Sequence, residues 1–177
     1  MKRLLSKCFL LLQTVFILLS SNSPSSAIAK DNNSFPEDRI VFPEFFIDVS
    51  GEKVPSAVLG KKYVGLYFSA SWCGPCRKFT PTLIDFRNKL RNEFEVVLIS
   101  GDGSSKAQAN YMKKYSMPWV AMKNKSAEAK HATKLTDVKS IPHLVILDNE
   151  RNILTIDGKH DLVKMGERAL EHWKSLD

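Results

Sequence analysis

The chain has 177 residues, 26 Lys and Arg against 19 Asp and Glu, a formal net charge of +7, and 44% apolar residues. That length suits one domain with one core. The basic residues are spread along the chain, and groups such as Lys113-Lys114 and Lys123/Lys125 read as solvated surface, which argues against a nucleic-acid binder. Three cysteines are too few for a disulfide-built scaffold.

Residues 1–29 have the layout of a secretory signal peptide: M-K-R-L-L-S-K, a twelve-residue apolar run from Cys8 to Leu19, then small and polar residues up to Ala27-x-Ala29. The run is shorter than the ~20 residues that span a bilayer. Cleavage is expected after Ala29. Gln13 and Thr14 weaken the alternative, an uncleaved membrane anchor. Loss of this leader removes Lys2, Arg3 and Lys7 but no acid, so 148 residues remain with 23 basic and 19 acidic side chains, a net charge of +4. It also removes Cys8, leaving only Cys73 and Cys76.

Residues 30–43 are polar, carry two prolines, and are expected to form a loose lead-in to a domain over 44–177. F-F-I-D-V-S-G-E-K-V-P then signals a β-hairpin turning at Ser50-Gly51. Y-V-G-L-Y-F (63–68) is a continuous apolar run, as in a strand buried on both faces. It leads directly into S-W-C-G-P-C-R-K. Phe79, Leu83, Phe86 and Leu90 recur at helical spacing, with Pro81 expected to bend that helix. V-V-L-I (96–99) is a second buried strand, closed by Ser100-Gly101-Asp102-Gly103. Ser104 or Ser105 can cap a helix reaching Tyr115, and Ser126 can begin another with Ala129, Ala132 and Leu135 inside. H-L-V-I-L (143–147) and N-I-L-T-I (152–156), joined by a four-residue turn, predict an antiparallel hairpin. Asp161 is expected to cap a last helix with the stripe Leu162, Met165, Ala169, Trp173 and Leu176. The whole predicts an α/β fold, a mixed central sheet flanked by helices.

Two cysteines separated by Gly-Pro can staple, bind metal, hold haem or exchange electrons. So short a loop makes a poor staple. A structural zinc site needs four ligands, and His131, His143, His160 and His172 supply no close pair. Covalent haem attachment needs His after the second cysteine, where Arg77 stands. Copper delivery gains no support from the histidine spacing. Redox exchange fits best. At the start of a helix, amides and dipole favour the Cys73 thiolate, which can fall from ~8.5 towards ~7. Cys76, one turn deeper on the same side, can resolve a mixed disulfide. Gly74 permits close approach, and Pro75 fits the first helical turn.

W-C-G-P-C, with Pro81 five residues after the second cysteine and Ile141-Pro142 further on, resembles the thioredoxin superfamily from residue 44 to the end. Within it, Y-F-S-A-S-W-C-G-P-C-R-K-F-T-P, M-P-W-V-A-M and S-I-P-H-L-V-I-L are similar to the tryparedoxin and nucleoredoxin branch. The resemblance implies a thioredoxin fold with an N-terminal hairpin extension and a cis Ile141-Pro142 bond. It implies a docking face shaped by Trp72, Gly74, Pro75, Ile141 and Pro142, with catalysis by Cys73 and Cys76 and neither metal nor cofactor.

Taken with the leader, the expectation is an exported, monomeric thiol-disulfide oxidoreductase, periplasmic or secreted. It would act as a reductase on client proteins, with electrons from a donor such as a membrane carrier. The alternatives are an oxidase of protein thiols, or a peptide-binding or chaperone module with dispensable cysteines. A thiol peroxidase is disfavoured, because no peroxide-binding Arg is evident beside the pair.

Departures from the pattern pose their own questions. Thioredoxin has a buried Asp six residues before the first cysteine, whereas this chain has Tyr67, so the proton acceptor for Cys76 is unassigned. Tryparedoxins usually carry Pro-Pro between the cysteines. His143 stands where Thr is common; a packed, hydrogen-bonded side chain is expected, with tuning of a thiolate the alternative. Trp119 can line the docking face or plug the core. In a eukaryotic source, Asn32-Asn33-Ser34 and Asn124-Lys125-Ser126 would fit glycosylation acceptors.

Overall fold

The computed structural model describes residues 35–60 and 62–177. The expected signal peptide and the Asn32 sequon lie outside them. The chain runs from Phe35 to Pro43 without helix or strand, yet Ile40 is buried and Phe42 packs edge-on against Phe46, ring centroids 5.4 Å apart. Strands β1 (Phe45–Ile47) and β2 (Lys53–Pro55) form the expected hairpin, with Phe46 opposite Val54. Its turn is held by Asp48, whose Oδ1 accepts from the Ser50 and Glu52 amides at 2.8 and 2.9 Å, and by Gly51 at φ +91°, a conformation that suits glycine.

The apolar runs become β3 (Tyr63–Ser69) and β4 (Phe94–Ser100), paired in parallel from Tyr63↔Phe94 to Ser69↔Ser100. β5 (Val120–Ala121) lies parallel to β4 and was invisible to pattern reading, because two residues show no periodicity. β5 matters topologically, since Ile47 of β1 pairs with Ala121 and so brings the hairpin into the main sheet. β6 (His143–Leu147) runs antiparallel to β3, and β7 (Ile153–Thr155) antiparallel to β6. The result is one mixed seven-stranded sheet in the order β2-β1-β5-β4-β3-β6-β7.

Helices α1 (Gly74–Lys89), α2 (Ser105–Lys114), α3 (Ala127–Leu135), α4 (Gly158–Met165) and α5 (Ala169–Lys174) flank the sheet. Of the described helices, none is long and apolar enough to cross a membrane. Ser104 and Ser126 cap α2 and α3, their hydroxyls accepting from the Ala107 and Ala129 amides, each at 3.2 Å. Alternation along β3 divides the core. Tyr67 joins Leu83, Phe86, Phe94, Trp119 and Trp173 in one cluster, while Val64, Leu66 and Phe68 join Val97, Ala132 and Val145 in another.

The C-terminal helix differs from expectation. It breaks at Gly166, in the left-handed region at φ +57°, and Asp161 lies inside α4 instead of capping it. The Asp161 carboxylate accepts from the Trp173 indole N–H at 3.0 Å, satisfying a fully buried aromatic. Leu176, the expected end of the buried stripe, is exposed. Gly158 starts α4 where the helix touches the sheet: a Cβ there would lie 2.8 Å from the Leu144 carbonyl oxygen.

Candidate active site

The end of β3 delivers Ala70-Ser71-Trp72 to the amino end of α1, where Cys73 occupies the N-cap in an extended conformation. In this position its Sγ accepts the Cys76 amide at 3.1 Å, one of the N–H groups a helix start leaves unpaired. Pro75 lies in the first turn, where its missing donor costs nothing. Cys73 and Cys76 are joined in a disulfide, Cα atoms 5.2 Å apart, and both are buried. Trp72 projects beside them with 66% of its surface exposed.

The Ile141-Pro142 bond is cis, and Ile141 packs against Ala70, Cys73 and Cys76. Its carbonyl oxygen lies 3.7 Å from Cys73 Sγ. Trp72, Cys73, Cys76, Ile141 and Pro142 therefore meet at one end of the sheet, from segments about 65 residues apart (Cys76 and Ile141) in the chain. Gly74 differs from its expected use. A Cβ there would meet nothing closer than Arg77 Nη2 at 4.0 Å, so no close approach within the chain requires glycine.

Tyr67 is fully buried, and its hydroxyl donates to the Cys76 carbonyl at 3.1 Å. Thr80 Oγ1 donates to the same carbonyl at 2.9 Å and lies 3.0 Å from Tyr67 Oη and 3.1 Å from Tyr111 Oη, which in turn meets Ser69 Oγ at 2.9 Å. Four hydroxyls thus converge on the first turn of α1. Burial pushes the Tyr67 phenol well above its ordinary value, outweighing the opposing hydrogen bonds of Ser69 and Thr80. It stays protonated near neutral pH and cannot replace a carboxylate as the base for Cys76. Its place in this network is to orient the helix that carries the pair.

Asp102 holds the other side of the active loop, a role that sequence reading missed. Its side chain is buried; Oδ1 accepts from the Ser71 amide at 3.0 Å and the Ser71 hydroxyl at 2.6 Å, and Oδ2 accepts from Ser100 Oγ at 2.8 Å. Parallel register holds the signal that could have found it: with Ser69 opposite Ser100, Ser71 and Asp102 stand two residues beyond the last pair in each chain segment. Asn124 braces the same turn, its Nδ2 donating to the Ser100 and Asp102 carbonyls at 3.4 and 3.0 Å.

Trp119 is buried in the core, its ring meeting Tyr67 edge-on at 6.2 Å, so it plugs the interior and does not line the docking face. His143 departs from expectation in the opposite sense. It is half-buried beside Phe68, but its buried Nε2 has no hydrogen-bond partner among the described residues. His143, Pro142, Lys159 and His160 border a cleft of about 310 Å³ next to the cis bond. Among the described residues, no three His, Cys, Asp or Glu side chains converge as metal ligands.

Comparison with known proteins agrees with this fold. The family described as Thioredoxin-like matches residues 60–153. Probable nucleoredoxin 1 of Arabidopsis thaliana is 39% identical over 119 residues, which cover 65% of this chain and 20% of that protein. Nucleoredoxin of Xenopus laevis is 34% identical over 113 residues, 62% of this chain and 27% of that one. The match thus spans only a fifth to about a quarter of these two relatives. Among solved structures, tryparedoxin II from C. fasciculata superposes with a TM-score of 0.65 at 37% identity, covering 72% of this chain and 85% of its own. Tryparedoxin II has also been solved complexed with glutathionylspermidine.

Proposed function

The chain belongs to the thioredoxin-like family, and from that membership we propose that it is an exported thiol-disulfide oxidoreductase that reduces disulfides in client proteins. The observation that carries the chemistry is Cys73 at the N-cap of α1, its sulfur accepting the Cys76 amide and facing the Ile141 carbonyl.

In the reduced protein the Cys73 thiolate, favoured by that amide and the helix dipole, attacks one sulfur of a client disulfide. A Cys73–client bond forms, the client S–S bond breaks, and the first client sulfur leaves as a thiolate. Cys76 then gives up its proton and attacks Cys73 Sγ, releasing the second client thiolate and leaving the Cys73–Cys76 disulfide. Two electrons pass to the client, and its two thiolates take up protons. Ile141, beside the cis bond, offers a backbone carbonyl to an extended client segment, with Trp72 as an apolar wall.

Gly-Pro between the cysteines and Ile before the cis-proline support the reducing direction, by resemblance to reducing members of the family. Residues 1–29 support export, and a reductase outside the cytoplasm needs a donor such as a membrane electron carrier. The protein would act as a monomer and without a cofactor. The glutathionylspermidine complex of tryparedoxin II supports a thiol or disulfide substrate.

The test is trapping. A Cys76→Ser variant is expected to accumulate mixed disulfides through Cys73, and their identity gives pathway and direction. A reduction potential of ~−120 mV, far above thioredoxin's ~−270 mV, would reverse the assigned direction.

A further inference from the structure

A second cleft, of about 360 Å³, lies between the end of β4 and α3. Buried Ile99 and Ala129 form its floor, and Lys125, Lys130, Thr133 and Lys134 stand exposed around it. Lys130 and Lys134 are one helical turn apart on α3 and so share a face, while Lys125 joins them from the turn before that helix. Lys125 Nζ donates to the Gly103 carbonyl at 2.9 Å, which ties its ammonium to the turn after β4. Lys130 and Lys134 are in no ion pair among the described residues. Among the described residues no acid lines the cleft. Asp102, two residues beyond Ser100, is buried, and its carboxylate oxygens are taken by Ser71 and the Ser100 hydroxyl.

The cleft adjoins the cysteine pair. Ile141 packs against Cys73 and Cys76 and also against the core cluster that contains Ile99 and Ala129. A Cβ on Gly101, the residue after Ser100, would lie 3.7 Å from Ala70 Cβ and 4.0 Å from Ile141 Cδ1. Ile141 thus bridges the disulfide and the floor of the cleft. Three charges of one sign around an apolar floor call for an anion with an aliphatic stem, and continuity with Ile141 makes that anion part of the docked chain. We propose that the cleft receives an acidic segment of the client next to its disulfide, with glutamate carboxylates facing Lys125, Lys130 and Lys134 and their stems against Ile99 and Ala129. The proposal rests on the redox reading, and it makes these lysines determinants of client choice that raise the rate of productive encounter.

The test compares two disulfide peptides, identical except that the residues flanking the disulfide are Glu in one and Gln in the other, with dithiothreitol as the electron source. The unmodified protein should show the higher kcat/KM on the Glu peptide. Lys130→Gln/Lys134→Gln should lower the Glu-to-Gln ratio of kcat/KM about fivefold, the size of two exposed charge pairs. Charge reversal, Lys130→Glu/Lys134→Glu, should invert the preference. Lys113→Gln/Lys114→Gln makes the same change in net charge as the first variant in the last turn of α2 and should leave the ratio unchanged. A ratio unmoved by the α3 variants, or lowered equally by the α2 variant, would overturn the proposal. An unmoved ratio together with sedimentation on phosphatidylglycerol vesicles that Lys130→Gln/Lys134→Gln abolishes would assign the lysines to lipid instead. Lipoamide, a neutral disulfide, separates the two levels: its reduction with an unmoved peptide ratio sinks the cleft alone, whereas failure to reduce it sinks the redox reading beneath.

Discussion

Replacing Tyr67 by Phe removes one hydroxyl from the network beneath the cysteine pair and tests how that network works. The Cys76 carbonyl keeps Thr80 Oγ1 as donor at 2.9 Å, and Thr80 keeps Tyr111 at 3.1 Å, so no buried partner is left bare. The cost near neutral pH is therefore that of one neutral hydrogen bond, about 1 kcal/mol. The pH dependence carries a sharper signature. Tyr67's folded pKa is raised above the unfolded value of 10.0, so the native state retains its proton more strongly than the unfolded chain does. The resulting stability is fully present below pH 10 and is lost as pH rises beyond it, by about 1.4 kcal/mol at pH 11 for a group still protonated in the fold. Tyr67→Phe lacks this loss, so urea-unfolding curves of the two proteins should converge and cross between about pH 10 and pH 11. The rate at which Cys76 resolves a Cys73 mixed disulfide should change little, since a protonated phenol takes no proton. Parallel stability curves would refute the burial argument. A fall in resolving rate of ~10²-fold or more, the size of a lost general base, would make Tyr67 the missing acceptor after all.

Asp102→Ala leaves Ser71 N–H, Ser71 Oγ and Ser100 Oγ without their carboxylate, and should lower unfolding free energy by about 3–5 kcal/mol. Asp102→Asn, which can still accept at one oxygen, should lose about half of that; no loss at all in Asp102→Asn would show that the carboxylate has no special part. Gly158→Ala pushes a methyl to 2.8 Å from the Leu144 carbonyl and should destabilise the fold by about 1–3 kcal/mol in chemical denaturation, whereas a neutral or stabilising result would contradict the close packing of α4 on β6. Cys73→Ser should abolish disulfide reduction while leaving the fold intact by circular dichroism. Full biological activity in that variant would favour a binding module over a redox protein.

The pair itself, its helix, the two central strands and both serine caps could be read from the sequence because each is a local pattern: an apolar run, a helical stripe, or a cap three residues before its amide. The features that escaped depend on distant partners. β5 exists because neighbours pair with it, not because Val120-Ala121 has any period of its own. Asp161 has the look of a cap, but tertiary packing made it the acceptor for Trp173 twelve residues away. Trp119 could have faced outward or inward, and the Tyr67 ring beside it decided for the core. Asp102 reaches Ser71 only because β3 and β4 run parallel in register, a fact that no single segment contains.

Asn124 gives the sequon Asn124-Lys125-Ser126 a meaning that the tripeptide alone does not have. The nitrogen to which a glycan would be attached donates to both the Ser100 and Asp102 carbonyls in a half-buried site. In a glycosylating compartment, a sugar at this position would replace one of the two Nδ2 hydrogens and leave a single donor for the two carbonyls. Occupancy there would weaken the brace of the 100–103 turn, next to the carboxylate that holds Ser71. The same nitrogen would thus serve either the sugar or the full brace of the active loop.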